Sequence, residues 1–231
     1  MPTSYGQFGP VAKAMEVLDE RWTMLVIREL MMGSRHFNAL RRGVPKMSPA
    51  LLSKRLHMLV RCGVVERHRD GARITYHLTE AGRELEPIVV ALGRWGIRWI
   101  DQLGEEDLDP HLLLWDIHRN IDLEAVPDGR TVICFRFSDN AVAASARAWW
   151  LVISGDAVDV CDFDPGHDVT VTVDTTLRAL TQVWRGDISW PAAVRSGLLT
   201  LRGETYAQRA LPRWLKLSSL AGTPRPVRVP A

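Results

Sequence analysis

The stretch from Ser48 to Gly63, SPALLSKRLHMLVRCG, constrains this chain more than any other. At about 100° per residue, Leu52, Leu56 and Leu59 fall on one side of a helix, and Ala50, Ser53, Lys54, His57 and Arg61 on the opposite side. Ser48 can accept from an early backbone N–H, Pro49 loses no needed donor at the first helical position, and Gly63 ends the run after Cys62. One face has to pack, and the other is left to touch something.

The flanking segments define a setting for that helix. Val11, Met15 and Leu18 recur at helical spacing, as do Leu25, Val26 and Leu30, so two short amphipathic helices open the chain with Arg21 and Trp22 between them. His36 to Arg42 reads as a third short helix with Phe37 and Leu40 inward, closed by Gly43 and Val44-Pro45. Beyond Gly63, VVERHRDGARITYHL divides at Asp70-Gly71, a dipeptide suited to a tight hairpin, with Ile74, Tyr76 and Leu78 alternating on one face. This predicts a two-stranded wing carrying Arg67, Arg69 and Arg73. Thr79 then caps a long helix through Ile100, kinked at Pro87. Its apolar residues Leu85, Ile88, Val89, Leu92, Trp95, Trp99 and Ile100 exceed what a small domain buries alone, which points to a partner chain.

Charge is divided unevenly along the 231 residues. Up to Asp101 there are 16 Lys and Arg against 10 Asp and Glu, and beyond it 13 against 17. Arg35 to Arg73 holds ten basic residues against Glu66 and Asp70 alone, a local excess with two readings, a polyanionic partner or an ordinary solvated face balanced by acids elsewhere in space. Within this region Ser48, Ala50, Ser53, Lys54 and His57 are candidates for reading base edges. Arg35, Lys46, Arg55, Arg67, Arg69 and Arg73 are candidates for holding phosphates, and each arginine has the alternative of a structural pair with Glu16, Glu20 or Glu29.

From Gly104 to Pro110 the chain becomes acidic and ends on proline, which predicts a linker between a domain over 1–103 and a second over 111–222, with a loose proline-rich tail over 223–231. In the second domain His111 to Leu123 reads as a helix. RTVICFRF, RAWWLVIS, AVDVCDF and DVTVTVD read as strands, Thr175 to Trp184 and Pro191 to Ser196 as helices, and LLTLR as a fifth strand. A last helix spans Glu204 to Leu220 with Pro212 interrupting it. The expected architecture is a mainly α winged helix-turn-helix followed by an α+β domain whose sheet of about five strands is mostly antiparallel.

The combination R-W-T at Arg21, F-N-x-L-R at Phe37, S-x-x-L-L-S-x-R-L at Ser48 and Y-x-L-T-x-A-G at Tyr76 resembles the HxlR family of winged-helix regulators over roughly Pro10 to Ile100. That resemblance implies double-stranded DNA as partner, Ser48 to Cys62 as recognition helix, and a homodimer built from the first and the long helix, with Val11, Met15, Leu85, Ile88, Val89, Leu92, Trp95 and Trp99 at its interface. Members that sense oxidants generally carry a cysteine just before the first helix, where this chain has Phe8-Gly9-Pro10-Val11. Cys62 has two readings, a reactive thiol or a small residue packed against the wing. The segment from about Pro110 to Leu217 is similar in element order to the lipid-binding domain of sterol carrier proteins. This implies an apolar cavity and an apolar small-molecule effector, with Trp149, Trp150, Trp184, Trp190 and Trp214 either lining the cavity or simply filling a core.

Cys62, Cys134 and Cys161 form no C-x-x-C pair, so neither a disulfide framework nor a zinc site is indicated. His111 and His118, with Asp116 between them, lack the further ligand a metal would need. No G-x-S-x-G, H-E-x-x-H, P-loop or dinucleotide fingerprint appears, and no enzyme activity or cofactor is expected. No apolar run approaches a membrane span and no signal segment opens the chain, so a cytoplasmic location is expected. Three functions remain open: a ligand-responsive DNA-binding regulator, a DNA-binding protein whose second domain only dimerises, and a lipid or sterol carrier with a vestigial winged head.

Overall fold

A computed structural model describes residues 4–100, 103–139 and 142–226. The chain divides into two compact units, one ending at Trp95 and the other starting at Gly96. The division lies inside a helix, ahead of the acidic segment where composition had set it.

The first unit has the element order expected of a winged helix. Helices α1 (Pro10–Leu18), α2 (Thr23–Met31), α3 (Phe37–Gly43) and α4 (Pro49–Arg61) precede strands β1 (Val65–Asp70) and β2 (Arg73–Leu78), then α5 (Glu80–Arg83) and α6 (Glu86–Trp99). Val26, Ile27, Leu30, Leu40, Leu52, Leu56, Leu59 and Leu78 form its core; Leu25, expected on the apolar side with Val26 and Leu30, is 40% exposed, and Ile27 takes the inward place instead. Trp22 makes the corner between α1 and α2 in a left-handed conformation, φ 79°, uncommon for a bulky residue. The long helix foreseen after Thr79 is two helices, because Pro87 has no N–H to continue the ladder and Glu84 and Leu85 turn instead. The hairpin closes on Gly71-Ala72, with Asp70 and Arg73 paired across it. Only Gly71 has positive φ, the pattern of a type II′ turn with glycine first, so the turn sits one residue later than the Asp-Gly dipeptide suggested.

The second unit contains α7 (Pro110–His118), β3 (Arg130–Phe137), β4 (Ala148–Ser154), β5 (Ala157–Cys161), β6 (Val171–Thr175), α8 (Leu177–Trp184), α9 (Trp190–Arg195), β7 (Leu199–Gly203) and α10 (Thr205–Trp214). Its five strands run in the order β5-β4-β3-β6-β7. Every pairing is antiparallel except β3 with β6. The alternate residues Ile133, Phe135, Phe137, Trp149, Leu151, Val171 and Val173 enter one core with Leu114, Leu180, Leu211 and Trp214 from the helices.

Three expectations about this unit need correction. Helix α7 stops at His118, short of Leu123, because Ile121 bridges to Leu215 and the Asp122 N–H donates to the Trp214 carbonyl. The acidic segment is built into the unit: Glu105–Asp107 form a 3-10 turn, Leu108 packs on the core, and Arg178 pairs with Glu105 and donates to the Leu103 carbonyl at 2.8 Å. The start of the tail is held as well, since Arg225 pairs with Asp187 and donates to the Gly186 carbonyl at 3.0 Å, while residues 227–231 lie outside those described. Pro212 sits within α10 without ending it. No helix among the described residues is long and apolar enough to cross a membrane.

Candidate nucleic-acid interface

Helix α4 begins where its sequence says it should, with the Ser48 hydroxyl accepting the Leu51 N–H at 3.3 Å and Pro49 in the first turn. Leu52, Leu56 and Leu59 are buried. The opposite side presents Ala50, Lys54, His57 and Arg61 to solvent with Ser53 half-buried beside them, and Ser48 is exposed at the helix start. Arg61 belongs to this stripe although it was not among the candidates for base contact; its place four residues after His57 was the available signal.

Arg55 does not join that face. It lies about 40° from Leu59 around the helix, its side chain is 6% exposed, and its guanidinium pairs with Glu20 at 2.9 Å. The expected phosphate contact gives way to a structural ion pair, one of the partners that the sequence allowed. Arg35 is likewise half-buried and donates through Nη1 to the Leu30 carbonyl at the end of α2. Its main-chain carbonyl accepts the Tyr76 N–H at 2.9 Å, tying the wing to the helical body. Lys46 is exposed in the turn between α3 and α4, close in sequence to the start of the outward face.

The wing arginines are all exposed, but they divide between two faces. Cross-strand pairing puts Arg67 and Arg69 on the side of Tyr76 and Ile74, and Arg73 on the side of Asp70, His68 and Thr75. A ribbon with cations on both faces is suited to a groove with phosphates on either wall. His68 and His77 lie together on the second face, ring centroids 4.9 Å apart, with Glu66 at 3.3 Å from His68 Nε2. Burial pushes the His77 imidazole below the ordinary histidine range, and the nearby Arg35 guanidinium adds to the effect.

The profile of the HxlR-like helix-turn-helix family matches residues 17–104. An uncharacterized HTH-type transcriptional regulator of Mycobacterium tuberculosis is 42% identical over 95 residues, which are 39% of this chain and 58% of that protein. The HTH-type regulator YvaP of Bacillus subtilis is 37% identical over 92 residues, 38% of this chain and 85% of YvaP. This chain belongs to the HxlR-like helix-turn-helix family. Among solved structures, the reduced form of the transcriptional regulator YodB from B. subtilis is 27% identical, covering 41% of this chain and 97% of that one with a TM-score of 0.37. The HxlR-like match concerns chiefly the first unit, and the chain spans little more than half the length of its mycobacterial relative.

The residues that carried the HxlR resemblance have visible structural work. Thr79 accepts the Gly82 N–H at 3.2 Å and donates to the Gly63 carbonyl at 2.6 Å, locking α5 against the end of α4. At Gly82 a Cβ would stand 2.2 Å from the Val64 carbonyl oxygen, so the backbones approach as only glycine allows. Outside those motifs, Gly43 leaves room for the buried Glu29 carboxylate, which would lie 1.8 Å from an added Cβ. Glu29 in turn accepts from Arg28 at 2.9 Å.

Several other candidates take different places. On α6, Ile88, Leu92, Trp95 and Trp99 are exposed, as are Val11 and Met15 on α1, whereas Leu85 and Val89 are half-buried against the core of their own unit. Cys62 is exposed at the end of α4 with its thiol 3.8 Å from Met58 Sδ, and does not pack under the wing. Burial pushes the Cys134 thiol up, and that of Cys161 also, which disfavours their reactive thiolates. Trp149, Trp184, Trp190 and Trp214 are buried members of the second core, while Trp150 faces the other side of the sheet from Trp149. The recess beside Trp184 and Trp190 measures only about 10 Å³, room for one water molecule at most. These indoles fill the core rather than line a cavity there. The His111 ring stacks on Trp115 and meets Trp149 edge-on, and no group of three or more His, Cys, Asp or Glu suited to a metal occurs among the described residues.

Proposed function

We propose that the chain is a homodimeric, sequence-specific DNA-binding transcriptional regulator. The observation that carries this is the outward face of α4, where hydroxyl, ammonium, imidazole and guanidinium groups stand over a fully buried leucine face, next to an arginine-bearing hairpin. A helix about 10–12 Å across with such a face fits the major groove, and the hairpin then reaches backbone on either side. The names of the relatives, transcriptional regulators of the helix-turn-helix type, support the same use. Ser48, Ala50, Ser53, Lys54 and His57 read bases in this proposal. Lys46, Arg67, Arg69 and Arg73 hold phosphates, and Arg61 extends the reading face.

Dimerisation enters through α6. Ile88, Leu92, Trp95 and Trp99 are spaced 4, 3 and 4 residues apart and form one exposed apolar stripe, the pattern of a coiled-coil seam. A two-fold dimer presents two α4 helices, which predicts half-sites about one helical turn apart or a multiple of it. Four of the five tryptophans expected to line an apolar site in the second unit are packed into its core, so the proposal rests on the first unit. Selection of genomic fragments by the purified chain, followed by footprinting, tests the function: a protected inverted repeat with that spacing supports it, and retention of fragments with no shared sequence contradicts it.

A further inference from the structure

His57 stands in the middle of the outward stripe of α4, and its ring is held in one orientation. Nδ1 lies 2.8 Å from the main-chain carbonyl oxygen of Ser53, one turn earlier, and 3.5 Å from the Ser53 hydroxyl. A carbonyl oxygen has no proton to give, so Nδ1 carries the proton and donates it. The neutral ring must then offer Nε2 as a lone-pair acceptor, since the bond made by one imidazole nitrogen sets the state of the other. No hydrogen bond from the described residues reaches Nε2.

Major-groove base edges present hydrogen-bond donors only at the amino groups of adenine N6 and cytosine N4, while guanine and thymine offer acceptors there. Resting on α4 as the helix that enters the groove, we infer that His57 is a specificity-determining residue that accepts a hydrogen bond from an adenine or cytosine amino group. It therefore selects against guanine and thymine on the strand it faces, at one position in each half-site. Its neighbours on the stripe do the opposite: Lys54 and Arg61 only donate and suit guanine or phosphate, and Ala50 makes no hydrogen bond through its side chain. Holding the ring on the helix backbone means that little rotamer freedom remains to be lost when the base is met.

Binding-site selection from random duplexes with the full chain at about pH 8 locates the position. His57→Ala should abolish preference at one position per half-site, by about 3–10-fold, and keep the others; helicity and melting, read alongside, should not change for this exposed residue. At that position, purine in place of adenine, or pyrimidin-2-one in place of cytosine, removes only the amino group. The analogue should weaken the wild type by the same factor and leave His57→Ala unaffected. If 7-deazaguanine in a C·G pair, or 7-deazaadenine in an A·T pair, reproduces the loss instead, His57 donates and the inference is overturned. If the wild type selects a sequence and His57→Ala changes no position, His57 does not read a base although α4 still does. If the wild type selects no sequence at all, the DNA-reading function itself falls with it.

Discussion

At the scale of single residues, neighbours decide what a charge or a glycine is for. Arg55 and Lys54 are adjacent and both cationic, yet one is buried on Glu20 and the other faces solvent. Arg55→Ala should cost about 1–3 kcal/mol of stability through lost packing and hydrogen bonding, measured as a lower urea midpoint, whereas Lys54→Ala should leave the midpoint unchanged and weaken DNA binding. Gly82→Ala should cost about 1–3 kcal/mol because the Val64 carbonyl cannot move aside, while Gly96→Ala, with open space around it, should not destabilise. His77 gives a pH dependence of definite sign. Its folded pKa lies below the ordinary value of about 6.5, so the unfolded chain binds the proton more readily; the contribution to stability is intact above that value and is lost as pH falls through the folded pKa. The urea midpoint of the wild type should therefore fall more steeply than that of His77→Gln as pH drops from about 7.5 towards 5. Equal slopes would show that His77 is not destabilised by its surroundings.

At the scale of elements, periodicity alone made most of the first unit legible. The leucine face of α4, its Ser48 cap and the alternation of Ile74, Tyr76 and Leu78 are local signals, and each element forms where its signal lies. What periodicity could not supply were partners distant in sequence. Glu20 captures Arg55 from 35 residues away, and Trp214 and Leu215 draw Ile121 and Asp122 out of α7. The tryptophans show the same gap in another form: composition flagged them, but only strand register separates Trp149, inside the core, from Trp150, on the opposite sheet face. For α6 the expectation rests on both pattern and exposure, with Leu92 53% and Trp95 57% exposed in the single chain. Leu92→Glu with Trp95→Glu should halve the sedimenting mass by placing like charges on the seam; an unchanged mass would place the dimer contact elsewhere.

At the scale of the whole molecule, the chain divides between Trp95 and Gly96, and the acidic segment from Gly104 belongs to the second unit rather than tethering it. Salt dependence is the property of the intact protein that the wing should control. Arg73→Ala should make the slope of log K against log salt shallower by about 0.9 for each phosphate that Arg73 neutralises, with operator and random duplex weakened alike. The central claim is that the outward face of α4 reads sequence, and the most direct measurement is the ratio of affinities for a selected site and for random duplex at fixed salt. Ser53→Ala combined with Lys54→Ala should lower that ratio by about tenfold or more with melting unchanged, since discrimination resides in base contacts worth roughly 1–3 kcal/mol each. A ratio that survives both substitutions in a folded protein would contradict the account.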